Sequence, residues 1–337
     1  MERPIKKKKS ILKISIIIIL VLLILYTAAI YIAVSAALVP SFMRKLEIFE
    51  EISERCYGEQ VQSEEIKQNL KNGSGPYKQW LKEKKVHEIS QLTEDGYNLK
   101  ASVVEGDPTS HIWVLMLHGY TGWKETMYPY AMYYNKRGCH VLIPDLRTQG
   151  ESQGDFIGMG WTDQFDCRLF LDRILEKDPD ASVIIHGLSM GAATALMMSS
   201  QDDLPDQVKF IVSESSYTDA YSMFGDKAGE WFHLPSFPVV DSMRLMLLAR
   251  GGYDLNKACP LDAVKHSHIP TLFIHGDQDR MISVDHARKL YEAASCEKEL
   301  LIIEGAGHAQ TQAKAPSKYN GAIGRFMLKY IPDRDNH

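Results

Sequence analysis

The chain has 337 residues, 45% of them hydrophobic and 24% charged, which suits one large folded domain and argues against wholesale disorder. Its net charge of −5 is unevenly spread: residues 1–13 carry six basic side chains against Glu2, so the rest is strongly acidic, which argues against nucleic acid as a partner. The five cysteines, Cys56, Cys139, Cys167, Cys259 and Cys296, are scattered and odd in number, with no C-x-x-C pair, so neither a disulfide framework nor a zinc site is expected.

The basic residues 1–13 precede a stretch from Ile14 to Met43 without a charged side chain. Such a run exceeds the roughly 20 apolar residues that cross a bilayer as a helix. It also exceeds the 7–15 residues or so of a signal-peptide core, although "VSA" at Val34–Ala36 resembles a cleavage site. The reading is an uncleaved transmembrane anchor over residues 14–39. The heavier positive flank lies before it, so the body is expected outside the cytoplasm. Residues 40–85 read as a helical stalk, with Phe42, Leu46, Phe49 and Ile52 on one face and a break at "NGSGP" (72–76).

From residue 86 to 332 a strand–helix rhythm is expected. "VHEISQLT" and "YNLKASVVE" flank the turn "EDG" and read as a hairpin. "HIWVLMLHG" is a strand buried on both faces, followed by a helix over Lys124–Arg137 and the strand "CHVLIPDLR". Then come helix "TDQFDCRLFLDRILEK", strand "SVIIHG", helix "MGAATALMMSS" and strand "VKFIVSES". After an insertion over 216–268 follow strand "IPTLFIHG", helix "VDHARKLYEAAS", strand "KELLIIEG" and a last helix near Pro316–Tyr330. The alternation predicts an α/β fold: a mostly parallel sheet of about eight strands with helices on both faces. The insertion reads as a small apolar cap carrying Phe224, Trp231, Phe232, Phe237, Met243, Met246 and Leu247. These residues either line an acyl or alcohol pocket or pack the cap's own helices.

Three strands end in His-Gly, at His118, His186 and His275, which places those residues on the rim where ligands bind in open α/β sheets. More specific is Gly187-Leu188-Ser189-Met190-Gly191, a G-x-S-x-G between a strand and a helix. The glycines permit a tight turn that lifts Ser189 off the sheet at a helix N-terminus, whose positive end favours a developing anion. Ser189 is thus the candidate nucleophile. His186 is only three residues away, but it lies within the strand and reads as a core or supporting histidine. A better base is His308, in the glycine-rich loop "EGAGHAQ" after the last strand. The acid should lie between them in sequence. Asp279, deep in the loop "GDQDRMIS", is preferred; Asp277 and Glu214 are the other candidates, Asp277 reading as a turn cap. Backbone N–H groups of Tyr120 and Met190 are expected to form an oxyanion hole.

Together "LHGYTG", "IPDLRTQGES", "GMGWTDQFD", "HGLSMGAAT", "SESSYTD", "PTLFIHGDQDRMIS" and "GAGHAQ" make the chain resemble the α/β-hydrolase superfamily. Within it, the chain resembles bacterial membrane-anchored cell-surface hydrolases, mostly known as esterases or as uncharacterised hydrolases. The resemblance implies a carboxylesterase with Ser189 as nucleophile, Asp279 as acid, His308 as base and Tyr120 and Met190 as oxyanion donors, needing no cofactor or metal. Its partners would be a small ester or acylated substrate and the membrane. A peptidase, an amidase or an acyltransferase would use the same three residues; a non-catalytic surface module would not need them. One departure is "LRTQGES", where many relatives have Arg-Gly-His-Gly or Arg-Ala-His-Gly. Thr148 and Gln149 stand there instead, and an altered local turn is expected.

Overall fold

The computed structural model describes residues 3–42 and 76–331. Most of the expected stalk, including Leu46, Phe49, Ile52 and the Gly-rich break at 72–75, lies outside the described residues, as does Cys56.

An apolar helix, α1 (Arg3–Leu38), comes first, and a short helix, α2 (Pro76–Lys82), precedes the sheet. The hairpin is formed by β1 (Val86–Leu92) and β2 (Asn98–Val104). It is followed by β3 (Ile112–Leu117), α3 (Tyr128–Asn135), β4 (His140–Pro144) and α4 (Asp163–Lys177). Next are β5 (Ser182–Leu188), α5 (Met190–Met198) and β6 (Val208–Glu214). The insertion folds as α6 (Ala220–Phe232) and α7 (Ser236–Gly251). The chain then forms β7 (Thr271–Gly276), α8 (Val284–Ala293), β8 (Lys298–Ile303) and α9 (Pro316–Tyr330).

The eight strands form one sheet in the order β1-β2-β4-β3-β5-β6-β7-β8. The pairs β1/β2 and β2/β4 are antiparallel; the others are parallel. Alternation along each strand divides the apolar side chains between two cores. Trp113, Leu115 and Leu117 of β3 face one core, which α4, α5 and the end of α1 complete. Val114 and Met116 face the other, filled by Tyr130, Tyr133 and Tyr134 of α3 and Tyr319, Ile323 and Phe326 of α9. Burial on both faces is why these strands read as continuous apolar runs.

The helix expected over Lys124–Arg137 is split. Lys124–Met127 is a 3-10 turn, and the α-helix starts at Tyr128 with Pro129 in its first turn. Proline has no N–H to donate and its ring crowds the preceding turn, so it suits the first turn of a helix and not its interior.

The end of α1 belongs to the folded body. Ile30, Val34 and Leu38 are buried in the α4/α5-side core. The Leu38 carbonyl accepts the Ile157 N–H at 2.9 Å, and the Tyr120 hydroxyl donates to the Ala37 carbonyl. Further back, the Tyr26 hydroxyl lies 2.9 Å from Ser242 Oγ, and Arg250 donates to Ser35 Oγ at 2.9 Å. Helix α7 therefore runs alongside the second half of α1.

Candidate active site

The turn between β5 and α5 brings the backbone into a conformation that L residues rarely adopt. Ser189 has φ 55° and ψ −115°. Such a residue costs on the order of 1–3 kcal/mol and persists only where its surroundings hold it. Here the Ser189 N–H donates to the Glu214 carbonyl of β6 at 2.7 Å. The flanking glycines are required by close approach. A Cβ at Gly187 would lie 2.2 Å from the Gly191 carbonyl oxygen, and one at Gly191 would lie 2.2 Å from the Leu117 carbonyl oxygen. The hydroxyl-bearing residue thus stands at the carboxyl end of the central strand, at the start of α5.

His308 comes from the loop after β8. That loop is pinned to the loop after β7 by the Asp277 N–H to Ile303 O, the Gln278 N–H to Ala306 O at 2.9 Å, and the Gly305 N–H to Asp277 Oδ1 at 2.7 Å. Pinning sets His308 between the other two residues: Nδ1 is 2.7 Å from Asp279 Oδ2 and Nε2 is 3.0 Å from Ser189 Oγ. A carboxylate accepts only, so the ring hydrogen sits on Nδ1 and the Nε2 lone pair faces the serine hydroxyl. All three residues are buried.

Asp279 is held on both oxygens. Oδ1 accepts the N–H groups of Met281 and Ile282 at 2.9 and 2.8 Å, and His275 Nε2 lies 3.1 Å from Oδ2. Burial acts to raise its pKa, but the electrostatic attraction and hydrogen bonds of His308 and His275 outweigh that and hold the carboxyl below the usual range. Asp277 instead accepts the Gly305 amide, and Glu214 accepts from Thr311 and Tyr319, so neither is hydrogen-bonded to His308.

The His-Gly histidines stand at the strand ends but do not face a ligand: His118, His186 and His275 are fully buried. For His118 and His275 the rim expectation gives way to internal bracing; His186 is the supporting core histidine that its place within the strand suggested. His118 Nδ1 is 2.8 Å from the Gly119 carbonyl, and its Nε2 accepts the Leu146 N–H at 2.9 Å. Burial lowers its pKa, consistent with a ring that both donates and accepts. This fixes the loop bearing Tyr120 against the end of β4. A Cβ at Gly119 would sit 3.3 Å from Ser189 Cβ, so this loop passes directly by the serine. Met190 opens α5, where an N–H has no acceptor within its own helix.

His186 has the same strand parity as Ile184 and points to the α3/α9 face. Its Nδ1 is 2.9 Å from Tyr134 Oη and its Nε2 is 3.1 Å from Tyr319 Oη. Tyr319 donates its only hydroxyl hydrogen to Glu214 Oε2 at 2.6 Å. His186 Nε2–H must then donate to Tyr319, and Tyr134 donates to Nδ1. Thr311, just past the His308 loop, donates to the other Glu214 oxygen at 2.5 Å. This buried chain of Tyr134, His186, Tyr319, Glu214 and Thr311 was not foreseen; only the isolated polar residues within apolar segments hinted at it.

At the departure in "LRTQGES", Thr148 adopts φ 70°, and the Gln149 side-chain amide is buried. Arg147 beside it forms two 2.8 Å hydrogen bonds to Asp166 and also pairs with Asp95.

The profile of the alpha/beta hydrolase family matches residues 114–316, more than half of the chain, a span that includes Ser189, Asp279 and His308. The chain belongs to the alpha/beta hydrolase family. This hydrolase is 28% identical over 233 residues to the uncharacterized protein YqkD of Bacillus subtilis, covering 69% of this chain and 76% of that one. It is 28% identical over 193 residues to the lysophosphatidylserine lipase ABHD12 of Macaca fascicularis, covering 56% of this chain and 46% of the lipase, about half its length. Among solved structures, the Pyrococcus furiosus esterase Pf2001 superposes with a TM-score of 0.60 at 21% identity, over 74% of this chain and 94% of the esterase. That likeness is one of fold.

Proposed function

We propose that this hydrolase is a membrane-anchored serine carboxylesterase in which Ser189, His308 and Asp279 act as nucleophile, base and orienting acid. The observation that carries the reading is the hydrogen-bonded series from Asp279 Oδ2 through His308 to Ser189 Oγ, at 2.7 and 3.0 Å. Ser189 attacks the ester carbonyl as His308 Nε2 takes its proton; Asp279 stabilises the resulting imidazolium. The oxyanion is held by the N–H groups of Met190 and Tyr120, each worth about 3–4 kcal/mol of transition-state stabilisation. His308 returns the proton to the departing alcohol, and water repeats the sequence on the acyl-enzyme. The ester assignment draws on the lipase and esterase that this chain resembles.

The same reading assigns residues 14–39 as anchor, 40–85 as stalk and 86–332 as hydrolase domain, with 216–268 as its cap. Within the helical segment Ile11–Leu38 an 18-residue stretch reaches a mean hydropathy of 2.9, and the segment is long enough to cross a bilayer. Retention of the segment is favoured by Ile30, Val34 and Leu38, because cleavage after Ala36 would strip two of these side chains from the core. The positive N-terminal flank favours a body outside the cytoplasm.

The test is to offer the full-length protein p-nitrophenyl esters of rising chain length beside aminoacyl p-nitroanilides. Ester turnover that depends on Ser189 supports the reading; amide turnover without ester turnover makes it a peptidase. For topology, protease added to intact cells should remove the body, and protection of the body contradicts the outward orientation.

A further inference from the structure

The surface of the insertion beside α1 is unusual for water-facing protein. Ten residues between Phe232 and Ala249 are exposed: all are apolar except His233 and Ser236, and none is charged. Phe237 is 75% exposed, Phe232 61% and Leu245 60%. Apolar surface gathered in this way marks a contact with another apolar phase.

The position of α7 along α1 identifies that phase. Lys13 is the last charged side chain before the apolar run, so a hydrocarbon core of about 20 residues counted from Ile14 ends near Ala33. Tyr26 lies about seven residues short of that end, or roughly 10 Å inside it at a rise of about 1.5 Å per residue. Yet Tyr26 is hydrogen-bonded to the insertion, at the Pro238 carbonyl (3.3 Å) and at Ser242 Oγ (2.9 Å). The first turns of α7 therefore sit at the depth of the acyl chains.

The charges on α7 agree with this placement. Asp241 accepts the Tyr221 hydroxyl at 2.9 Å, and Arg244 forms a double hydrogen bond with Asp254 at 2.6 Å, so both are engaged within the protein. Arg250 lies over the Tyr31 ring and donates to Ser35, level with the end of the apolar span, where a cation can reach headgroups. An apolar groove of about 570 Å³, lined by Leu23, Ile24, Thr27, Tyr31 and Met246, joins the exposed flank of α1 to α7.

We infer that the segment Phe232–Leu248 is inserted among the acyl chains of the bilayer leaflet adjoining the hydrolase body, with Phe237, Leu245 and Leu248 in contact with lipid. The occupant of the α1/α7 groove is lipid acyl chain. The inference rests on the reading of α1 as a transmembrane anchor. It makes the hydrolase body a monotopic membrane domain and not one held away from the surface on a tether. The substrate class that follows is an acyl ester resident in that leaflet. The docked end of α1 touches Tyr120, which follows Gly119, the residue beside Ser189, so the membrane face and the catalytic turn are neighbours.

The test uses the full-length protein with single cysteines introduced by Ile19→Cys, Phe237→Cys and Leu328→Cys. Each is labelled with bimane in detergent, corrected for the label taken up by the unsubstituted protein, and reconstituted in phosphatidylcholine vesicles with nitroxide-bearing acyl chains. Leu328 is 84% exposed on α9, on the opposite side of the sheet from α1. The expected result is loss of fluorescence at positions 19 and 237 and none at 328. Leu245→Cys serves as a second probe of the same surface and should behave like position 237. Quenching at 19 without quenching at 237 and 245 overturns the inference while leaving the anchor intact; a second copy covering the patch would give that result. No quenching at 19 overturns the anchor reading and the inference with it. Quenching at 328 as strong as at 237 overturns the proposed attitude of the body on the membrane.

Discussion

His186 Nδ1 lies 2.9 Å from the Tyr134 hydroxyl, and the Tyr319 hydroxyl occupies its other nitrogen at 3.1 Å. Both ring nitrogens are thus used on the α3/α9 side of the sheet, and neither remains to take a proton from Ser189. His186→Ala should lower stability by about 1–3 kcal/mol, because it leaves buried hydroxyls without a partner. Turnover by the remaining folded protein should stay close to that of the parent. His308→Ala should keep the fold and lose about 10⁶ in kcat. Thermal denaturation beside ester turnover separates the two effects; loss of the chemical step in His186→Ala alone would reverse the assignment.

The acid can be tested in the same loop. Asp279 accepts from His308 Nδ1 and two backbone amides, whereas Asp277 accepts the Gly305 amide. Asp279→Asn offers His308 the wrong tautomer and should reduce kcat by about 10⁴. Asp277→Asn retains an oxygen for Gly305 and should cost far less than tenfold in ester turnover.

The turn that bears Ser189 should tolerate no side chain at its glycines. In Gly191→Ala the new Cβ would lie 2.2 Å from the Leu117 carbonyl oxygen, against rigid β3 backbone. A loss above about 4 kcal/mol is expected, seen as failure to recover folded protein. Gly321→Ala on α9 meets nothing within 4 Å and should raise stability by up to about 1 kcal/mol, a contrast readable in one melting series.

Asp163 predicts a pH dependence of stability. Burial, with Asp166 nearby, raises its pKa to about 7 from an ordinary value of 3.8. Between those values the folded protein holds a proton that the unfolded chain has released. Stability from this residue is therefore greatest below about pH 4 and falls as the pH rises to about 7, by at most about 4 kcal/mol. Asp163→Asn cannot titrate. Melting at pH 5 and pH 8 should show a smaller difference between the two pH values in the variant than in the parent.

The parallel strands were legible because burial on both faces leaves continuous apolar runs such as "HIWVLMLHG", and Ser189 because its turn leaves two glycines at fixed spacing. The positions of His308 and Asp279 after successive strands followed from chain order. Tyr134 and Tyr319 were not legible as partners of His186, since they come from helices 52 and 133 residues away and sit among other core aromatics. The start of α3 is marked by Pro129, which fits a first turn but not a helix interior, and the pattern over Lys124–Arg137 masks that boundary. Nor does any periodicity announce that Tyr26 meets Ser242 across 216 residues; the contact exists only once α1 lies on α7.

The central claim is that Ser189 is the nucleophile. The full-length protein in detergent would be treated with a fluorophosphonate, digested, and the modified residue located by mass spectrometry, with ester turnover of Ser189→Ala measured in parallel. The account predicts an adduct on Ser189 and a fall of about 10⁶ in kcat for Ser189→Ala. An adduct at a different serine, or ester turnover by Ser189→Ala at the parent rate, would contradict it.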